Sequence, residues 1–139
     1  MKDFRELKVW KKGDLLTLAA YRVTSGFPKH ELFGLVSQIR RCSSSIPANI
    51  AEGCGRMGNA EFHRFLQIGC GSANELEYHL LPAKDLGYLS LPDYDSIRKE
   101  LLDLKRMLVA LTRKVGSERE VDASRFLLFA NCYLPIASL

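Results

Sequence analysis

A chain of 139 residues, 47% hydrophobic and 26% charged, is long enough for one domain around a single core and needs no second. Its formal charge of +4 is uneven: nine Lys and Arg against four Asp and Glu in residues 1–41, nine against nine in 42–115, and two against three in 116–139. Charge throughout Met1 to Lys12 argues against a secretory leader, and no apolar run reaches the roughly 20 residues that cross a bilayer, so no membrane partner and a cytoplasmic location are expected.

The first helix is expected over Phe4 to Thr24, with Leu7, Trp10, Leu15, Leu18 and Ala19 inward and Lys8, Lys11, Lys12 and Arg22 toward water. Gly26 and Pro28 end it. On this reading Val9 and Leu16, with Val109 further on, fall outside the core stripes and are free for an interface. The second helix is expected over Glu31 to Glu52, its apolar stripe being Leu32, Leu35, Val36, Ile39, Ile46 and Ile50. Pro47 removes a backbone donor, which predicts a bend between Ser43 and Pro47. A second stripe at the same spacing, Gln38, Arg41, Ser45, Asn49, Glu52 and Arg56, is polar. Its mixture of amide, hydroxyl, guanidinium and carboxylate suits specific hydrogen bonding better than a plain solvated face of Lys and Glu would.

Gly53 to Gly58 reads as a break, with Asn59 as the N-cap of a third helix whose stripe is Phe62, Phe65, Leu66, Gly69, Ala73, Leu76 and Leu80. Pro82 falls in its last turns and Gly87 closes it. Pro92 opens a fourth helix in which Tyr94, Ile97, Leu101, Leu104, Leu108, Leu111 and Val115 alternate steps of three and four. Four helices with short connections predict an all-α, antiparallel up-down-up-down four-helix bundle over residues 1–116. Residues 117–139 form a tail of uncertain structure, first polar, then carrying Phe126, Leu127, Leu128, Phe129, Tyr133, Leu134 and Ile136.

Chemical motifs are sparse. Cys42, Cys54, Cys70 and Cys132 contain no C-x-x-C pair and no clustered His, which reads as reduced core cysteines without a metal. Gly53, Gly55 and Gly58 spell G-x-G-x-x-G, but a helix precedes them where a dinucleotide site needs a strand, so no cofactor is expected. Glu75 and His79 are a single i,i+4 pair, short of the paired Glu-x-x-His of a di-iron bundle. Nothing marks a nucleophile, and no enzyme is expected. On the third helix Arg64, Gly71, Ser72, Glu75 and His79 share a face apart from the apolar stripe and are available to the polar stripe of the second. Such a meeting either fixes helix register within or between subunits, or binds a ligand.

Taken in order, Phe4-Arg-Glu-Leu-Lys-Val-Trp10, Phe27-Pro-Lys-His-Glu31, Gln38-Ile-Arg-Arg41, Ser45-Ile-Pro-Ala-Asn-Ile-Ala-Glu-Gly53 with Arg56, Phe62 to Leu66, Gly71-Ser72 with Glu75, and Leu86-Gly-Tyr88 resemble the 23S rRNA intervening-sequence protein family, the four helix bundle proteins. The resemblance runs from Phe4 to about Val115. It implies a bacterial, non-enzymatic bundle assembling as a ring, a homopentamer, and often encoded within ribosomal RNA genes. It extends to the accessory variability protein of diversity-generating retroelements, a basic pentameric bundle that binds a reverse transcriptase and nucleic acid. Arg41, Asn49, Glu52, Arg56, Ser72 and Glu75 match the family's polar positions. Gly13, Cys54, Pro82 and the tail depart from its pattern. The expected function is therefore binding of RNA, DNA or a nucleoprotein through Lys8, Lys11, Lys12, Arg40 and Arg56. The alternative is an adaptor that recruits a protein such as a reverse transcriptase.

Overall fold

The computed structural model describes residues 2–133, with side chains as far as Leu127. It holds four α-helices, α1 Lys8–Thr24, α2 Ser37–Gly55, α3 Asn59–Asp85 and α4 Leu91–Tyr133, and no strand among the described residues. Each helix packs on the next, and α1 closes the set against α4. Ile39, Ile46, Ile50, Leu66, Leu76, Leu101, Leu104 and Leu108 meet in a core sealed from water.

The face of α1 differs in part from the expected one: Leu7, Trp10 and Ala19 pack partly buried against the core, but Leu15 and Leu18 do not. Val9, Gly13, Leu16, Ala20 and Thr24 are buried, whereas Leu15 is 64% and Leu18 48% exposed. The reason is close approach to α2. Gly13 lies against Pro47 there: a Cβ built on it would stand at ordinary contact distance, 3.5 Å, from the Pro47 ring. Thr17 completes the contact. Its hydroxyl lies 2.9 Å from the Gly13 carbonyl and 3.0 Å from that of Ser43, the acceptor that Pro47, lacking an N–H, leaves without its helical partner. With its freed carbonyl answered from α1, α2 runs unbroken through Pro47. Val9 and Leu16 are thereby core residues, while Val109 stays at the surface.

The chain leaves helical geometry before α2, at Gly34, with φ −103° and ψ −116°. The Glu31 carboxylate accepts the Leu35 N–H at 3.0 Å, and a Cβ at residue 34 would run into that carboxylate. Leu32 and Phe33 swing outward in consequence, Phe33 to 91% exposure.

At the next turn α2 continues to Gly55 and the cap of α3 is Gly58, not Asn59. Gly58 has φ 87°, a left-handed value that glycine adopts freely, so Asn59 becomes the first helical residue. Gly53 brings α2 and α3 together, since a Cβ there would meet the Phe62 ring at 2.9 Å. The far end of α3 closes as a Schellman motif: the Gly87 N–H donates to Lys84 O at 3.0 Å and the Tyr88 N–H to Ala83 O at 3.0 Å, with Gly87 at φ 77°.

Helix α4 is capped by the Ser90 hydroxyl, which accepts the Asp93 N–H at 3.3 Å. Its seam from Tyr94 to Val115 faces the core as the spacing predicts, with Leu111 partly buried. The helix then outlasts the bundle. Its 43 residues correspond to about 65 Å at the α-helical rise, and every described side chain from Ser117 to Leu127 is exposed. The first part of the expected tail is thus an extension of α4. Leu134 and Ile136 lie outside the described residues, as do the side chains of Leu128, Phe129 and Tyr133.

Candidate functional site

The polar stripe of α2 meets α3, in two groups. In the first, the Arg41 guanidinium donates to Gln38 Oε1 at 2.9 Å and pairs with Glu75, which also has His79 Nε2 3.5 Å from its carboxylate. In the second, the Ser45 and Ser72 hydroxyls stand 2.9 Å apart, and Asn49 Nδ2 donates to Ser45 O at 2.7 Å and to Ser45 Oγ at 3.0 Å. Ser72 is buried, Ser45 and Asn49 are partly so, and Arg41 is half exposed. Glu52 stands apart from both groups, half exposed and bonded by Arg56 at 2.8 Å. The groups that leave water at this seam have partners, and two of the pairs, Arg41 with Glu75 and Ser45 with Ser72, cross from α2 to α3. No described buried side-chain nitrogen or oxygen lacks a hydrogen bond.

Cys42 and Cys54 are core residues, Cys70 packs partly buried against the core, and the side chain of Cys132 lies outside the described residues. Burial pushes the Cys42 thiol up to about 11, with the Glu75 charge adding to the effect, and burial raises Cys54 against the opposing pull of Lys2. Both therefore stay protonated at neutral pH, which disfavours nucleophilic or metal-binding use. No group of three His, Cys, Asp or Glu placed to hold a metal exists among the described residues.

The five basic candidates divide sharply. Lys8 and Lys11 point to water from α1 and make no salt bridge among the described residues. Lys12 is committed to Glu100 at 2.8 Å, a hydrogen bond that holds the Glu100 carboxyl below its ordinary value. Arg40 is a staple on the end of α1. Its Nε donates to Thr24 Oγ1 at 2.9 Å, its Nη2 to Tyr21 O at 3.4 Å, and its guanidinium lies 4.5 Å from the Tyr21 ring centre. A cation on the last carbonyls of a helix is stabilising there. This places Arg40 at the opposite end of α1 from Lys8, so the structure does not gather all five.

It gathers two others. Around the α2–α3 turn, Lys2 Nζ sits 4.7 Å from the Phe62 ring centre, while Arg56 and Arg64 approach the Phe65 ring at 5.2 and 4.4 Å. Lys2, Arg56 and Phe62 line a shallow cavity of about 160 Å³ with Gly53, Cys54, Gly58 and Asn59. Arg64 is held by Glu61 at 3.1 Å, and that hydrogen bond lowers the Glu61 carboxyl and raises the guanidinium. The sequence places Arg64 on the polar face of the third helix and not among the basic candidates, and Lys2 lies on no stripe; the signal available for both is Phe62 and Phe65, two rings one turn apart.

No helix among the described residues is long and apolar enough to cross a membrane. No curated protein matches the chain. Among solved structures it is similar to a protein of unknown function from the S23 ribosomal protein family of Bacteroides thetaiotaomicron VPI-5482, at 25% identity and a TM-score of 0.70, over 76% of this chain and 95% of that one. The profile of the 23S rRNA-intervening sequence protein matches residues 5–110, and the chain therefore belongs to that family.

Proposed function

We propose that this protein is a non-enzymatic bacterial bundle, cytoplasmic and of up-down-up-down topology, that assembles as a homopentameric ring and binds RNA or a nucleoprotein. The pairing of Arg41 with Glu75 and Ser45 with Ser72 supports the antiparallel course, because residue numbers fall on one helix as they rise on the other. The observation that carries RNA binding is the convergence of Lys2, Arg56 and Arg64 on the Phe62 and Phe65 rings at one end of the bundle. Both rings are buried, so they hold the cations in place and offer no face to a base; the cations suit phosphates, and the start of α3 adds its positive dipole there. Lys8 and Lys11 extend this basic end along α1. A ring multiplies a modest charge per subunit into a field that one copy lacks.

The test is affinity for a structured RNA at about 50 and 200 mM salt, where several phosphate contacts change binding by orders of magnitude. Replacing Lys2, Lys8, Lys11, Arg56 and Arg64 by Gln weakens binding and flattens the salt slope; unchanged binding refutes the reading. A second reading, an adaptor for a protein such as a reverse transcriptase, is favoured by one feature, the extension of α4 with Val121, Phe126 and Leu127 exposed. Salt-insensitive capture of a protein, lost on deleting residues 117–139, distinguishes it.

A further inference from the structure

Helix α4 changes character at one point. Val115 is the last described side chain it gives to the core, and from Ser117 to Leu127 every side chain is exposed. Gly116 stands between the two parts, and a Cβ built there would come within 3.1 Å of His63 Nε2, so a side chain at this position would push on α3. Ser117 follows, its hydroxyl donating to Arg113 O at 3.0 Å. A Gly-Ser pair, with the serine bonded back to the carbonyl four residues earlier, is a place where helices bend. The hinge therefore lies at the edge of the bundle, with an exposed arm beyond it.

The face that this arm turns toward α3 carries two carboxylates. Ser117, Glu118, Val121, Asp122 and Arg125 line a shallow cleft of about 420 Å³ whose other wall is Asn59, the first residue of α3. Asn59 also lines the cavity that holds Lys2 and Arg56, so the two hollows adjoin. Arg56 and Arg64 already have Glu52 and Glu61, whereas Lys2, Glu118 and Asp122 make no salt bridge among the described residues. Lys2 is tied to this end of the bundle by its own N–H, which donates to Cys54 O at 3.2 Å. Unpaired carboxylates thus stand one hollow away from an unpaired amine, and Arg125 follows a turn further along the arm.

We propose that the arm is a built-in cover for the RNA-binding turn: bending at Gly116–Ser117, it lays Glu118 and Asp122 against Lys2, closes the cleft over Val121, and has to be displaced by RNA. This rests on the RNA reading above and adds the regulation of that same site. Two carboxylates one turn apart compete with phosphates for the same cation. A cover held by charge is loosened by salt, as phosphate contacts are.

The test uses the full chain and two readouts. Zero-length carbodiimide coupling, followed by mass spectrometry, is expected to join the Lys2 amine to Glu118 or Asp122 within one chain, and to fall when a structured RNA is added. No such coupling, or coupling only between isotopically labelled and unlabelled chains, overturns the cover. RNA affinity at about 50 mM salt is the second readout. Glu118→Gln, alone or with Asp122→Asn, is expected to tighten binding several-fold. Gly116→Ala stiffens the hinge and keeps both carboxylates, at the cost of a small shift of His63, and is expected to tighten binding as well. Glu120→Gln removes the same charge from the arm but outside the cleft, and is expected to leave affinity near the parental value. Equal gains from Glu118→Gln and Glu120→Gln assign the effect to net charge and overturn the proposal. A parent that binds no RNA refutes the reading above, and the coupling then decides on the cover alone.

Discussion

Helices α1 and α4 bury opposite kinds of residue. Helix α4 turns a leucine seam inward and keeps its described surface mostly polar, whereas α1 buries glycine, alanine and threonine alongside Val9 and Leu16 and shows Leu15 and Leu18 to water. In α4 the inward face is chosen by the apolar area it removes from water. In α1 it is chosen by distance: Gly13 lies against the Pro47 ring and Thr17 answers the carbonyl that Pro47 leaves free. The lesson is that Leu15 and Leu18, unlike Val9 and Leu16, are not spent on the fold, which leaves them free for contact with another chain.

The largest effect expected from this contrast is on α4. Leu104→Ala removes a side chain with no exposure and costs about 2–5 kcal/mol in chemical denaturation, while Leu15→Ala, at a similar change of size, leaves subunit stability within about 0.5 kcal/mol. Comparable losses at both positions would erase the distinction.

A smaller effect separates the α1–α2 contact from ordinary packing. Thr17→Val keeps shape but strands the Ser43 carbonyl, for about 1–3 kcal/mol. Pro47→Ala restores a backbone donor to that carbonyl, so the double variant is expected to lose less than the two single losses combined. Strict additivity in the cycle would mean that Thr17 acts by packing alone.

How much of this was legible follows from the same physics. The α4 seam and the α3 stripe were readable because leucines and aromatics carry their periodicity openly, and Gly87 marked its helix end for the reason it serves there. The α1 face was hidden because its burial is carried partly by Gly13 and Thr24, which no apolar pattern counts. The Thr17 hydroxyl on the carbonyl that Pro47 frees comes from another helix and leaves no local mark in the sequence, and Gly34 concealed a break that the Glu31 carboxylate supports. Of the candidate site, the meeting of Arg41 with Glu75 and of Ser45 with Ser72 followed from helical spacing. The partners of Lys12 and Arg40, on α4 and at the end of α1, lie across the tertiary fold and could not be read from the chain order.

The smallest expected effect concerns the ion pair that ties α1 to α4. The Lys12 hydrogen bond lowers the Glu100 carboxyl, so the pair adds stability above the unfolded carboxylate range near pH 4.3 and loses it as pH falls through the depressed folded value. For a half-exposed pair this is under about 1 kcal/mol. The stability gap between parent and Lys12→Met is expected to be flat above about pH 5 and to close below it; a gap independent of pH would assign the effect to the lysine stem.

The central claim is that the outward leucines of α1 are not spent on the fold and are free for the self-association proposed above. Its most direct test is the mass and helical signal of Leu15→Asp combined with Leu18→Asp, set beside the parent at the same micromolar concentration. The account predicts an assembled parent and a variant that scatters as one 15.7 kDa chain while keeping the parental helical signal and unfolding cooperatively. A variant that holds the parental mass, or one that loses its helices, contradicts it.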